Sequence, residues 1–302
     1  MIYVSQGHES GVGLEIFIKA FLTLSPTDQK KFHLFADRSS LIKTLDSIAI
    51  NHEVAKDTLK LVHSQLQVSF IKKAKNPTTD SLMEILEIIT DKDILLTLPS
   101  SKDQIIFEEK NVNGYTEFFR NHYQKDDIGM SFLSPNDNIL LLSDHISIAD
   151  VCDKLTVDFV VNKVISSVYG LQKIKKINSI RFSGIDPHCG EGGLISTIDN
   201  NISQAIQRLQ KEFKDIVFSG PFPADTIHFQ PKEKHQLLIY ASHDQGLGPF
   251  KLKNGLCGIN LSLGLPFYRV SVDHGTAFDL YGKNKASYQG MLYLLNEIVS
   301  WT

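Results

Sequence analysis

Three cysteines, Cys152, Cys189 and Cys257, are scattered through 302 residues. They are too few and too far apart for a disulfide framework or a zinc ribbon, so the chain reads as one made for a reducing compartment. A strong charge of either sign is also missing: 31 basic against 34 acidic residues leave a formal net charge of −3. That balance gives no general attraction to nucleic acid or to an anionic membrane, and neither is expected as a partner. No apolar run approaches the ~20 residues of a membrane-spanning helix. The opening residues, MIYVSQGHESGVG, lack a basic stretch followed by an apolar one, so no signal peptide is expected. Internal repeats and low-complexity tracts are absent as well. What is present is an ordinary globular composition, 42% apolar and 22% charged. These features point to a cytoplasmic protein, an enzyme or a ligand-binding relative of one. At this length a single core tends to divide, and two subdomains are expected.

Short β-rich runs alternate with longer helical patterns, the mark of α/β architecture with a largely parallel sheet. Strands are predicted at Ile2–Ser5, Phe32–Ala36, Leu59–Val62, Ile94–Leu98, Ile139–Ser143, Ser179–Gly184 and Leu237–Ala241. Helices are predicted at Leu14–Leu24, Ser39–Ile48 (capped by Ser39 or Ser40), Thr79–Ile88, Ile148–Tyr169, Thr197–Phe213 and Ala286–Val299. The stretch from Ile50 to Gln124 is the least legible. Lys173, Lys175 and Lys176 read as a solvated helix end.

Three histidines stand just beyond predicted strands: His145, His188 and His243. In a parallel sheet the carboxyl ends of strands lie along one edge, where ligands bind. Imidazoles gathered there suit a divalent transition metal, with Asp144, Asp186 and Asp244 as supports or further ligands. Separate loop histidines with local hydrogen bonds remain an equal reading, since spacing alone does not establish a metal site.

The loops around them are rich in glycine. His188 to Gly193 precedes a predicted helix, so backbone N–H groups are expected to meet an anion there. Gly220 to Thr226 holds two prolines and presents Asp225, and the loop His243 to Lys251 sets a cation beyond a potential ligand. Lys251, Asn260 and Arg269 together suit a substrate carrying carboxylate and phosphate. Gly7 to Gly13 is a strand-turn-helix phosphate loop in outline, without the full dinucleotide fingerprint or the Walker lysine.

Four of these segments carry a resemblance. Asp186-Pro187-His188-Cys189-Gly190-Glu191-Gly192-Gly193 resembles N-P-H-A-G-E-G-G, and Gly220 to Thr226 resembles G-P-x-P-A-D-T. His243-Asp244-Gln245-Gly246 matches H-D-Q-G, and Leu263 to Ala277 (LGLPFYRVSVDHGTA) matches its counterpart almost throughout. In this order they resemble the 4-hydroxythreonine-4-phosphate dehydrogenase family of pyridoxal phosphate biosynthesis.

The resemblance implies an isocitrate/isopropylmalate dehydrogenase-like fold of two α/β/α subdomains with a cleft between them. The boundaries expected are 1–125 plus 260–302 for the cofactor side and 126–259 for the metal and dimer side. It implies a homodimer whose divalent metal is held by His145, His188 and His243, one of them from the partner subunit. Histidines favour zinc or cobalt, while magnesium or manganese also suits a mixed site. Substrate contacts are implied at Thr116, Lys251, Asn260 and Arg269, beside Tyr115. An adenosine-binding loop is implied over His274, Gly275, Thr276, Ala277, Asp279 and Asn284, so that NAD binds without a Rossmann domain. Asp225 and Asp244 are candidates for proton transfer or for orienting the metal site. The implied reaction is oxidation of 4-phosphohydroxy-L-threonine, followed by decarboxylation.

The first half departs from the pattern. His8-Glu9-Ser10 replaces E-P-A in the first turn, and the family's H-T-E becomes Tyr115-Thr116-Glu117. Its T-G-P-x-x-K survives only as Thr97-Leu98-Pro99-Ser100-Ser101-Lys102. Two other readings follow from these changes. One keeps the chemistry on another phosphorylated hydroxy acid, such as a four-carbon sugar-acid phosphate. The other is a non-catalytic metabolite-binding relative.

Overall fold

Apolar runs without polar alternation mark strands covered on both faces. In the computed structural model, which describes residues 1–72 and 75–302, such runs form the central strands of each of two units. Contacts divide the chain into one unit of Met1–Gln124, Leu256–Asn260 and Leu265–Thr302, and a second of Lys125–Gly255 and Leu261–Gly264.

In the first unit Tyr268–Val272, Ile94–Thr97, Ile2–Ser5, Phe32–Ala36 and Ser64–Phe70 lie side by side and parallel. Thr58–Leu61 and His52–Val54 extend that sheet antiparallel. Ile94–Thr97 is buried at every position, as a central parallel strand must be. The helix expected over Ser39–Ile48 runs Arg38–Ser47, and its cap is Asp37 rather than a serine. The Asp37 carboxylate accepts the Ser40 N–H at 2.8 Å and also takes the Ser39 and Ser40 hydroxyls. The helix expected at Thr79–Ile88 begins earlier, at Pro77, because Asn76 caps it and a proline suits the first helical position.

In the second unit Val217–Phe222, Ser179–Ser183, Gln236–Tyr240 and Asn138–Leu141 are parallel neighbours in that order, with Gly129–Leu133 antiparallel beside the last. The first of these strands covers part of the segment expected as a loop. The long helix expected over Ile148–Tyr169 is broken into a 3-10 turn at Ile148–Asp150, a short helix at Val151–Lys154 and a long one at Val157–Gln172. Thr156 starts the last, its hydroxyl accepting the Phe159 N–H at 3.3 Å. Thr197–Phe213 shortens to Asp199–Glu212, and Ala286–Val299 to Gln289–Val299.

The expected glycine-rich loop from His243 is instead a helix, His243–Asn254. Its Leu247 and Phe250 join a core cluster with Met130, Phe132, Ile139, Leu141, Ile227, Leu238 and Tyr240. Gly246 is what lets the helix lie so close: a Cβ there would sit 2.7 Å from Leu141 Cδ2 and 3.0 Å from Tyr240 Cδ2. No helix among the described residues is long and apolar enough to cross a membrane.

Candidate active site

Because Asn138–Leu141, Gln236–Tyr240 and Ser179–Ser183 run parallel, their carboxyl ends share one edge of the second unit. His145, His243 and His188 follow those three ends. The structure brings two of them together: the His145 and His243 rings stand 5.5 Å apart between centroids. His243 is the first residue of its helix, and its Nδ1 lies 2.7 Å from Asp244 Oδ1. A carboxylate there holds the proton on Nδ1 and leaves the Nε2 lone pair for a cation. The Asp244 side chain is 99% exposed, so orientation of His243 is the role its geometry supports.

His188 is not part of the pair, and among the described residues no group of three His, Cys, Asp or Glu is arranged to hold a metal ion. It sits on an exposed loop whose backbone is left-handed at His188, Cys189, Gly190, Glu191 and Gly192 (φ 52°, 54°, 72°, 48° and 67°). For residues with a Cβ this conformation costs about 1–2 kcal/mol each. Local bonds offset that cost: Ser196 Oγ donates to Asp186, and the buried Asp199 carboxylate accepts the N–H groups of Ile185 and Asp186 at 2.7 and 3.1 Å. The expected anion site on a helix start is therefore not formed. The helix begins only at Asp199, whose carboxylate already takes two loop amides. Asp225 is exposed in the following turn. Burial, then the Asp199 and Asp225 charges, push the Cys189 thiol up to about 11.

Two adjacent imidazoles, one fixed by a carboxylate, form a donor set that fits a divalent transition metal with its remaining ligands supplied from elsewhere. Lys251 is exposed on the same helix as His243.

In the first unit Arg269 is 3% exposed and reaches Thr97 Oγ1 with Nε at 3.0 Å and Nη2 at 2.6 Å. Its guanidinium lies 4.8 Å over the Tyr115 ring. The Tyr115 hydroxyl donates to the Leu98 carbonyl at 3.3 Å. Burial raises the Tyr115 phenol well above its usual range, against the opposing Arg269 charge and a Ser100 hydrogen bond. Burial lowers the Arg269 guanidinium to about 10, with the Tyr115 phenol acting the other way. Both groups keep their protons at neutral pH. Thr116 is buried on the helix Tyr115–Tyr123, and the Asn260 Oδ1 is buried without a hydrogen-bond partner among the described residues. A buried amide oxygen left open in this way fits a polar ligand.

The segment expected to bind adenosine is seated on the first turn of the same unit. Val12 N–H donates to the Thr276 carbonyl at 3.0 Å, and Glu15 Oε1 accepts both Ala286 N–H and Lys19 Nζ. Thr276 is buried, and Ala277 and Asn284 adopt left-handed backbone (φ 44° and 56°). His274 Nδ1 lies 3.0 Å from the Gly275 carbonyl, while Gly275 and Asp279 are exposed. The half-exposed Phe278 ring packs edge-on to His8 at 4.8 Å. A half-exposed ring between the exposed Gly275 and Asp279 fits a nucleoside base. Glycine is required at position 7, just before His8, because a Cβ would sit 2.1 Å from the Pro99 carbonyl oxygen.

Reading the residues missed Lys163, fully buried on Val157–Gln172. Its signal was a lysine on the apolar stripe formed by Val160, Val164, Val168 and Leu171.

Residues 28–296 match the family described as pyridoxal phosphate biosynthetic protein PdxA. A 4-hydroxythreonine-4-phosphate dehydrogenase of Zymomonas mobilis is 38% identical over 67% of this chain, a match that spans 61% of the relative's length. One from Helicobacter pylori is 30% identical over 95% of this chain and 94% of its own. A relative in Oceanobacillus iheyensis, whose name provisionally assigns it as a D-threonate 4-phosphate dehydrogenase, is 28% identical over 99% of this chain and 97% of its own. Among solved structures, a 4-hydroxythreonine-4-phosphate dehydrogenase from Klebsiella pneumoniae superposes with a TM-score of 0.79 at 23% identity, covering 100% of this chain and 99% of its own. With a matched family spanning nearly the whole chain and the same fold beneath it, the chain belongs to the pyridoxal phosphate biosynthetic protein PdxA family.

Proposed function

We propose that the chain is an NAD-dependent, divalent-metal-dependent dehydrogenase that oxidises 4-phosphohydroxy-L-threonine at its secondary hydroxyl, with loss of CO₂ from the product. The observation that carries this reading is the pair His145 and His243, side by side at the carboxyl edge of parallel strands with His243 oriented by Asp244. A divalent cation bound there supplies Lewis acidity that lowers the pKa of the substrate hydroxyl. Asp244 keeps His243 in the ligating tautomer. Arg269, braced by Thr97 and Tyr115, presents a fixed fork to phosphate or carboxylate, with Thr116, Lys251 and Asn260 as further substrate contacts. The loop from His274 to Asn284 would hold the adenosine of NAD, which would supply the hydride acceptor. Asp225 is assigned to proton transfer, because it is an exposed carboxylate beside the His188 loop.

A homodimer completes the metal site, one histidine of each set coming from the second copy. The exposed position of His188 and the outward Ile148, Leu194 and Ile195 (76%, 85% and 50% exposed) support that arrangement. The reaction takes place in the cytoplasm.

The test is NADH formation with 4-phosphohydroxy-L-threonine, NAD and added metal. A signal lost on chelation and in His243→Ala supports the reading. No signal with any of the metals sinks it.

Oxidation of D-threonate 4-phosphate, a four-carbon sugar-acid phosphate, is the second reading. It is favoured by the Oceanobacillus relative and by Tyr115, whose hydroxyl is turned to Leu98 where the family pattern has a histidine. Comparing kcat/KM for the two substrates decides between them.

A further inference from the structure

Lys163 and Asp144 form a buried ion pair that the proposed chemistry does not use. Lys163 is 0% exposed and the Asp144 side chain 1%. The lysine Nζ donates to the Leu142 carbonyl at 2.8 Å and stands 3.6 Å from Asp144 Oδ2. The ring of Phe159, from the same helix, lies 5.4 Å from that Nζ. Taking two ions out of water is costly, and apolar residues in place of such a pair often leave a protein as stable or more so. Stability alone is therefore a poor account of this pair, and its neighbours give a better one.

The other carboxylate oxygen, Asp144 Oδ1, accepts the N–H of His145 at 2.9 Å. The Asp144 carbonyl accepts the Ile146 N–H at 2.8 Å. Just before it, Leu142 N–H and Ser143 N–H donate to the carbonyls of Tyr240 and Ala241 at 2.8 and 3.0 Å. The Ser143 hydroxyl also donates to Ala241, at 2.6 Å. Tyr240 and Ala241 lead directly into His243. The exit of one strand is thus tied to the exit of the next, and Lys163 holds it from below at two points.

We propose that Lys163 and Asp144 are positioning residues for the metal site. The lysine fixes the Leu142 carbonyl and the Asp144 carboxylate, the carboxylate fixes the His145 amide, and the His145 imidazole is thereby set beside His243. Pairing with the lysine also assigns Asp144 to support rather than to direct ligation. This inference rests on the metal reading of the two histidines.

The experiment titrates Co²⁺ alone into the purified full-length protein, followed by visible absorption and calorimetry. The variants are His145→Ala, Lys163→Met and the double variant Asp144→Ala with Lys163→Met, each with a thermal melt. The double variant leaves no buried ion unpaired, so it is expected to melt closer to the parent than Lys163→Met does. It is nonetheless expected to bind Co²⁺ about 10- to 100-fold more weakly, the usual effect of losing an outer partner of a metal ligand. A double variant that binds Co²⁺ like the parent overturns the inference and leaves the metal reading standing. A parent that binds no more Co²⁺ than His145→Ala overturns both. Should the double variant fail to fold, Asp144→Leu with Lys163→Met, an apolar pair of more similar volume that also leaves no buried ion unpaired, carries the same comparison.

Discussion

Gly246→Ala tests whether the close approach of one helix to two strands sets the histidine pair. The added Cβ would meet Leu141 Cδ2 at 2.7 Å, Tyr240 Cδ2 at 3.0 Å and Tyr240 Cβ at 3.1 Å. Leu141 and Tyr240 are 0% and 1% exposed, so neither can swing into solvent. The helix must retreat by several tenths of an ångström or the strands must yield, at a cost of about 1–3 kcal/mol. Alanine recovers roughly 0.8–1.0 kcal/mol of helix propensity over glycine. A net loss of up to about 2 kcal/mol is expected, read as a lower urea midpoint at unchanged slope. The same displacement moves His243, at the start of the helix, relative to His145, and Co²⁺ affinity is expected to fall about tenfold. Gly248→Ala in the same helix is the control, since a Cβ there meets nothing within 4 Å. Its helix-propensity gain is opposed by Pro249, which disfavours a Cβ on the preceding helical residue, so a change within about 1 kcal/mol is expected. Equal midpoints and equal Co²⁺ affinities for both variants and the parent would refute the reasoning.

Asp244→Asn is expected to weaken metal binding about 10- to 100-fold while leaving the melting temperature in place, because the side chain touches His243 and otherwise faces water. Unchanged calorimetric affinity would remove Asp244 from the site. Arg269→Lys is expected to lower kcat/KM for the phosphorylated substrate about 10- to 150-fold, since a lysine cannot hold Thr97 with two nitrogens and meet the ligand as well. Kinetics within twofold of the parent would count against a substrate role. His33, bonded to Ser69 Oγ at 2.9 Å, has its pKa lowered by burial from 6.5. The unfolded chain therefore binds the proton first on acidification. Stability is expected to fall as pH drops below about 6.5, until the folded-state pKa is passed. Urea midpoints measured against pH should lose part of that slope in His33→Gln, and an identical slope would contradict it.

The central strands were legible because a parallel strand needs an apolar side chain on both faces, and Ile2–Ser5 and Phe32–Ala36 spell that out. So was the shared edge: once three histidines each follow such a strand, parallel pairing places all three beyond one edge of the sheet without further information. Helix limits were less legible. Asp37, Asn76 and Thr156 stop or start helices through single side-chain bonds to the backbone, and a hydrophobic pattern runs past such points unmarked. The helix from His243 looked like a loop because its glycines and proline disfavour helix in isolation, and packing against Leu141 and Tyr240 overrides that preference.

Motif order and residue type alone determined that this chain belongs to its family and that imidazoles gather at one edge of a parallel sheet. Tertiary structure decided which imidazoles actually meet: His145 and His243 stand ring to ring, while His188 sits on a left-handed turn and no group of three metal-ligating residues is formed among the described residues. It also decided that Lys163, a cation on an apolar stripe, is buried against Asp144. The reason is one of range. Strand propensity and motif spacing are properties of neighbouring residues, whereas a buried charge and a ring-to-ring distance depend on segments brought together only when the chain has folded.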